Sequence, residues 1–264
     1  MRVLALSGAL ATVGVLAACL LPSLDGIEGG SSTSIDAGLD APHEGASDAS
    51  APFSCNGAAF CSTFDTADPS AGWTGVFTSP GSQLGIDSTR FVSPPGAFSS
   101  RTAPGQANDY FAASVYTNVQ RNAAKGLRLQ FALRVLTLDP TNDLSVGQLA
   151  INEGANSSIF RLWMHAGVLD PAEEVRVNNA QTANPHHPAV VPWVVDRWMK
   201  VQIEVDAANL SAKLSVDGTP VTSFALVGSW LGTSVNLSLG VFYSAAVQTG
   251  HAVLIDDVRL DRIP

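Results

Sequence analysis

Polar and aromatic side chains gather at one parity along a series of strand-like segments. Over Leu127–Leu138, the apolar Leu129, Phe131, Leu133 and Val135 alternate with Arg128, Gln130 and Arg134. Over Ser145–Asn152, Leu149 and Ile151 leave Gln148 and Asn152 on the other side. Over Ser158–Ala166, Phe160, Leu162 and Met164 leave Arg161, Trp163 and His165, and Arg176 and Asn178 extend the pattern in Glu174–Asn179. Successive side chains of a strand point to opposite faces, so each polar set shares a face. A concave sheet carrying Arg134, Gln148, Asn152, Arg161, Trp163, His165 and Arg176 offers an aromatic plate for a sugar ring and planar donors for hydroxyls or carboxylates. Guanidinium groups grip carboxylates in a two-pronged fork, which favours an acidic polysaccharide as ligand. The other reading is a plain solvated face with one half-buried tryptophan, the default for an antiparallel sheet.

Other chemistry is sparse. His186-His187 lies between Pro185 and Pro188, and no further metal ligands stand near it in the sequence. There is no glycine-rich phosphate loop, no Ser–His–Asp order and no redox C-x-x-C. A net charge of −9 argues against a nucleic-acid partner, which needs clustered Lys and Arg.

The segments that would position these residues read as strands from Phe53 onward. The clearest runs from Trp198 to Leu226. Met199, Val201, Ile203 and Val205 alternate with Lys200, Gln202, Glu204 and Asp206, and Leu210, Ala212, Leu214 and Val216 repeat the pattern. Asp217-Gly218 then supplies the positive-φ pair of a tight hairpin. Further strands are expected at Ala59–Asp65, Tyr110–Val119, Val221–Leu226, Val235–Tyr243 and His251–Asp261, separated by Gly, Pro, Asn and Asp clusters. Many short strands with no intervening helices predict an all-β, antiparallel two-sheet sandwich.

Ahead of that domain, Arg2 and the apolar Val3–Ala18 read as a secretory signal, too short for a bilayer that needs about 20 apolar residues. The chain therefore divides into a signal peptide (1–18), a tether (19–52) and a domain (53–264). Leu16-Ala17-Ala18-Cys19 resembles the bacterial lipobox, which implies cleavage before Cys19, acylation of its sulfur and a membrane as partner through the lipid anchor. With Leu20 rather than aspartate after the cysteine, the outer membrane or cell surface is the expected address in a two-membrane cell. An ordinary secreted protein is the alternative. Leu20–Pro52 has no aromatic residue, Lys or Arg and carries six acids, so it is expected to be a disordered tether reaching about 30 Å. Cys55 and Cys61 remain as an even pair in an oxidising compartment, a staple worth about 2–3 kcal/mol, with free thiols as the alternative.

The domain resembles the concanavalin A-like lectin/glucanase jelly roll, the group that includes laminin G-like modules. The resemblance rests on Trp198-x-x-Val201-x-Ile203 leading to Leu214-x-Val216-Asp217-Gly218, on Val253–Leu260, and on Phe60–Asp65 followed by Trp73. It implies a jelly-roll sandwich and one structural Ca²⁺ where first and last strands meet, with Asp65, Asp256 and Asp257 as ligands; an ordinary polar strand end is the other reading. The group's catalytic motifs are absent or degraded. The glucanase E-x-D-x-x-E run is nearest at Glu204-Val205-Asp206, without its second glutamate. The group also includes polysaccharide lyases, and against the Q-I-H, K-x-G-x-Y and R-T-E strands of alginate lyases Ala150 stands for His, Phe242 for Tyr and Ala103 for Glu, with Tyr243 one position out of phase. The expectation is therefore a non-catalytic, lipid-anchored carbohydrate-binding protein. A divergent polysaccharide lyase or glycoside hydrolase, and a protein-binding adhesion module, are the rivals.

Overall fold

A computed structural model describes residues 53–105, 110–139, 143–165, 167–187, 191–245 and 249–264. Within them the chain forms fifteen strands. They are β1 (Phe60–Ser62), β2 (Gly75–Thr78), β3 (Gln83–Asp87), β4 (Ala97–Arg101), β5 (Tyr110–Gln120), β6 (Gly126–Thr137), β7 (Leu144–Glu153) and β8 (Asn156–His165). They continue as β9 (Val168–Val177), β10 (Ala180–Ala183), β11 (Trp198–Asp206), β12 (Ser211–Val216), β13 (Thr219–Ala225), β14 (Ser234–Ala245) and β15 (Ala252–Ile263). The expected signal peptide, Cys19 and the whole of the tether lie outside the described residues. Among those described, no helix is long and apolar enough to cross a membrane.

Alternation dictates the pairing. Met199, Val201, Ile203 and Val205 of β11 are buried. Their strand sits between β6, with Val201 opposite Phe131 and Ile203 opposite Leu129, and β12, with Ile203 opposite Leu214. Asp217 and Gly218 both take positive φ, 50° and 78°, and close β12 onto β13 as the dipeptide requires. The Asp217 carboxylate also accepts the Lys200 backbone N–H at 2.8 Å, which ties the turn to β11. Leu210 departs from the expected alternation. It adopts φ 47° in the turn before β12 and is 40% exposed, so the inward series begins at Ala212.

Two antiparallel sheets result, and they pack as a jelly-roll sandwich. One runs β13-β12-β11-β6-β15-β4-β3, with β1 pairing along β15; the other runs β10-β9-β8-β7-β14-β5-β2. Phe98, Phe131, Leu129 and Leu133 from the first meet Phe160, Leu162, Met164 and Leu149 from the second in one continuous core. Each such side chain contributes about 1.5–3 kcal/mol by leaving water. The opening segment docks by aromatic stacking, Phe60 against Trp73 at 4.7 Å and Phe64 against Phe98 at 5.1 Å between ring centroids. Cys55 and Cys61 form the expected disulfide. Arg259 on β15 donates to the carbonyls of Ser54 and Asn56, which holds the stapled loop on the last strand.

Candidate functional site

The outer face of the seven-stranded sheet is built by the polar parity of five strands. Register places Tyr116 (β5), Ser238 (β14), Gln148 (β7), Arg161 (β8) and Ala172 (β9) side by side, and an isolated bridge adds His186 beside Ala172. At ~4.8 Å per strand this row spans about 24 Å. A bulge between Ser145 and Gly147 sets the parity on β7. Gly147 faces inward, where a Cβ would meet Phe131 at 3.4 Å, and Gln148 faces out.

At one end of the row lies an open cleft of about 420 Å³ lined by Phe77, Phe111, Tyr116, Phe242, Gln148, Asn236 and Ser238 among others. Phe77 on edge strand β2 is 61% exposed. The Tyr116 ring lies over Gly75, where an added Cβ would stand 2.6 Å from the phenolic oxygen, so glycine is what lets the ring lie flat against β2. The amides of Gln148 and Asn236 and the Ser238 hydroxyl share the floor, with Ser238 donating to Asn236 at 3.0 Å. Aromatic walls with amide and hydroxyl groups between them match a sugar ring, which has apolar faces and a rim of hydroxyls.

Next to the cleft the charges are paired. Arg161 is 7% exposed; it donates through Nε to Gln148 at 3.1 Å and through Nη1 to Glu174. Arg176 donates to the other oxygen of Glu174. One buried carboxylate thus holds two guanidinium groups, and neither is left as a simple receptor for an anionic sugar. Trp163 is half-buried opposite Asp170, and His165 pairs with Asp143 at the strand end. Asn152 is exposed near the far end of β7.

Arg134 belongs elsewhere. The parity of β6 is as expected, but β6 lies in the eight-stranded sheet, so Arg128, Gln130 and Arg134 face away from Gln148 and Trp163 across the sandwich. There Arg134 pairs with Asp196 at 2.8 Å and lies 6.0 Å from the Trp198 ring centroid. Parity assigns a face within one strand and says nothing about which sheet the strand joins.

The metal set also departs from expectation. Asp256 is fully buried, and its carboxylate accepts backbone N–H groups of Val92 at 2.8 Å, Ser93 at 2.9 Å and Asp257 at 2.8 Å. Those donors occupy both oxygens and point positive dipoles where a cation would sit. Asp257 accepts the Ser93 hydroxyl at 2.6 Å, and exposed Asp65 accepts that of Thr63 at 2.5 Å. Among the described residues no three His, Cys, Asp or Glu side chains converge as metal ligands. The donor set does not fit calcium: the acids meet at the expected strand junction, yet Asp256 is already satisfied by backbone.

The cleft aromatics were not among the sequence candidates. Tyr116 carries a signal, an aromatic at the polar parity of Ser114 and Asn118. Phe77 carries none, since four residues of β2 give no period. Phe242 lines the cleft at the place where the lyase motif has tyrosine, without a hydroxyl. The Tyr243 side chain lies outside the described residues.

No protein-family model matches the chain, and no curated protein sequence matches it. Solved structures do share its fold. The endo-β-1,4-glucuronan lyase of the fungus Trichoderma reesei aligns over 72% of this chain and 91% of its own, with 15% identity and a TM-score of 0.59. A conserved carbohydrate esterase from the Shiga toxin-encoding bacteriophage phi24B aligns over 78% and 99%, with 13% identity and a TM-score of 0.53. The cellulose induced protein Cip1 aligns over 72% and 93%, with 13% identity and a TM-score of 0.52. At such identities the likeness establishes the jelly-roll fold.

Proposed function

We propose that the outer face of the seven-stranded sheet binds carbohydrate, and that a lipid on Cys19 anchors the domain outside the cytoplasm. The observation that carries the binding is the cleft itself. Phe77, Phe111, Tyr116 and Phe242 enclose it, and Gln148, Asn236 and Ser238 offer hydrogen bonds within it. Its setting is a fold shared with the glucuronan lyase and the carbohydrate esterase named above. A neutral glycan fits better than the acidic one the arginines favoured, because Glu174 already holds Arg161 and Arg176. Hydrolysis of the glycosidic bond is not part of this reading, since among the described residues the carboxylates of this face, Asp170 and Glu174, are held by His186 and by Arg161 and Arg176. Calorimetric titration with neutral and acidic oligosaccharides tests the binding. Saturable binding of a neutral glycan, weakened by Phe77→Ala, supports it; a partner that is protein, captured independently of Phe77, sinks it. For the anchor, Cys19→Ala should abolish acyl labelling and detergent-phase partitioning, and unchanged partitioning refutes lipidation.

A further inference from the structure

At the far edge of the same face, away from the aromatic cleft, stands a carboxylate–imidazole pair. Asp170 on β9 is 3% exposed, and its Oδ2 lies 2.6 Å from His186 Nδ1. Its Oδ1 is buried with no hydrogen-bond partner among the described residues. A carboxylate accepts, so Nδ1 carries the ring proton and Nε2 is left as a base. The Asn184 amide donates to that Nε2 at 3.3 Å, a long bond that an incoming water would have to replace. The segment bearing both residues is clamped along β9: the Glu173 N–H donates to the Pro185 carbonyl at 3.1 Å, and the His187 N–H donates to the Pro171 carbonyl at 2.9 Å. The His187 ring, stacked 3.8 Å from Phe224, closes the inner side. The exposed imidazole of His186 is thus fixed from behind on a paired edge. A second such pair among the described residues, His165 with Asp143, has both side chains more than half exposed, so burial does not hold its geometry.

We propose that His186 is a general base for hydrolysis of acyl esters, with Asp170 as its positioning residue; that the ester is carried by a glycan rests on the carbohydrate reading above. Three reactions suit a sugar polymer, and the face discriminates among them. Glycosidic cleavage needs two carboxyl groups across one bond, whereas Asp170 is bound to His186 and Glu174 to two arginines. Elimination from a uronate needs a cation against the sugar carboxylate, and Glu174 holds both nearby guanidinium groups. Ester hydrolysis needs a base, a water and one donor for the carbonyl oxygen, which His186 and Asn184 can supply. Water takes the place of the Asn184 amide at Nε2; its oxygen bonds to the carbonyl carbon while its proton passes to Nε2, and the released Asn184 amide donates to the oxygen that gains charge. The carbonyl then re-forms, the C–O bond to the sugar breaks, and the proton on Nε2 passes to the departing sugar oxygen. A carboxylic acid and a free hydroxyl result, and the imidazole ends neutral.

The test uses the purified full chain with p-nitrophenyl acetate, following release of p-nitrophenolate. His186→Gln should lower kcat/KM at least about tenfold with an unchanged melting temperature. Asp170→Asn should lower it too and change its pH profile, which a purely structural role would leave alone. Rates within about twofold of wild type in both variants, with an unaltered profile, overturn the assignment. An unsaturated product formed from a uronate polymer also overturns it in favour of elimination. Because p-nitrophenyl acetate carries no sugar, the outcome is independent of whether the cleft binds glycan. Glycan titration of the same variants separates the two: retained affinity with lost hydrolysis supports the base, and lost affinity with wild-type hydrolysis counts against it.

Discussion

Glu173 on β9 accepts the indole N–H of Trp230 at 2.9 Å, and both side chains are fully buried. The same carboxylate takes the backbone N–H groups of Val227 at 2.5 Å and Gly228 at 3.0 Å. One acid therefore fastens the connection between β13 and β14 to the seven-stranded sheet. Gly228 belongs to the arrangement, since a Cβ there would lie 2.2 Å from the Ser158 hydroxyl.

Glu173→Ala should therefore destabilise the domain by about 3 kcal/mol, as two buried donors and one partly buried donor lose their acceptor. Urea denaturation measures this. A loss below about 1 kcal/mol would mean that water replaces the carboxylate at little cost.

Glu174→Gln tests the paired arginines. Removing the charge leaves Arg161 buried without its ion partner, at an expected cost of about 3–5 kcal/mol. Arg176→Ala, on the exposed side of the same carboxylate, should cost about 1 kcal/mol or less. Equal effects in the two variants would show that burial does not distinguish the guanidinium groups.

At the cleft, Phe77→Ala should weaken glycan binding by about 0.5–1.5 kcal/mol while leaving the melting temperature unchanged, because the ring is mostly in solvent. Gly75→Val should weaken it as well, by lifting Tyr116 off β2. Wild-type affinity in both variants would move the ligand away from this end of the sheet.

The sandwich was legible where alternation is strong, as in β11 and β12, in β6 to β8, and in β14 and β15. Four strands carried no such period. Gly75–Thr78 and Ala180–Ala183 are four residues each, Gln83–Asp87 mixes polarity, and in β4 even Ser99 and Ser100 are buried. The expected strand began only at Glu174; ahead of it, β9 carries Pro171 and the acids Asp170 and Glu173, and these two acids and Glu174 are all buried. Each acid is held by a partner distant in sequence, Glu173 by Trp230, Glu174 by Arg161 and Asp170 by His186. Such pairings have no local signature, so Val168–Glu173, which falls outside the expected strands, became part of the strand that organises the far edge. Gln148, Arg161 and Trp163 were found on the face that parity assigned them. Arg134 was not, because strand parity cannot tell one sheet from the other.

Calcium should leave the melting temperature unchanged, as should a chelator, since backbone N–H groups fill the Asp256 carboxylate. A rise on adding calcium, lost in Asp65→Asn and Asp257→Asn, would restore the ion the fold resemblance implied.

Asp256 gives the fold a pH dependence of definite sign. Burial pushes its carboxyl up to about 6, against backbone N–H bonds from Ser93 and Val92 that favour the charge. The neighbouring Asp257 is raised as well, chiefly by burial. A carboxyl with a higher pKa folded than unfolded binds its proton more tightly in the native state. The stability it contributes is therefore full below the ordinary carboxylate range, falls as pH rises toward 6, and is absent above. Raising a carboxyl from its ordinary range to about 6 corresponds to about 3 kcal/mol between those limits. Asp256→Asn keeps the acceptor but cannot ionise, so its melting temperature should vary less between pH 4 and pH 7 than that of wild type. Thermal melts across that interval decide the matter: parallel curves for the two proteins would mean that Asp256 binds its proton equally in the folded and unfolded states.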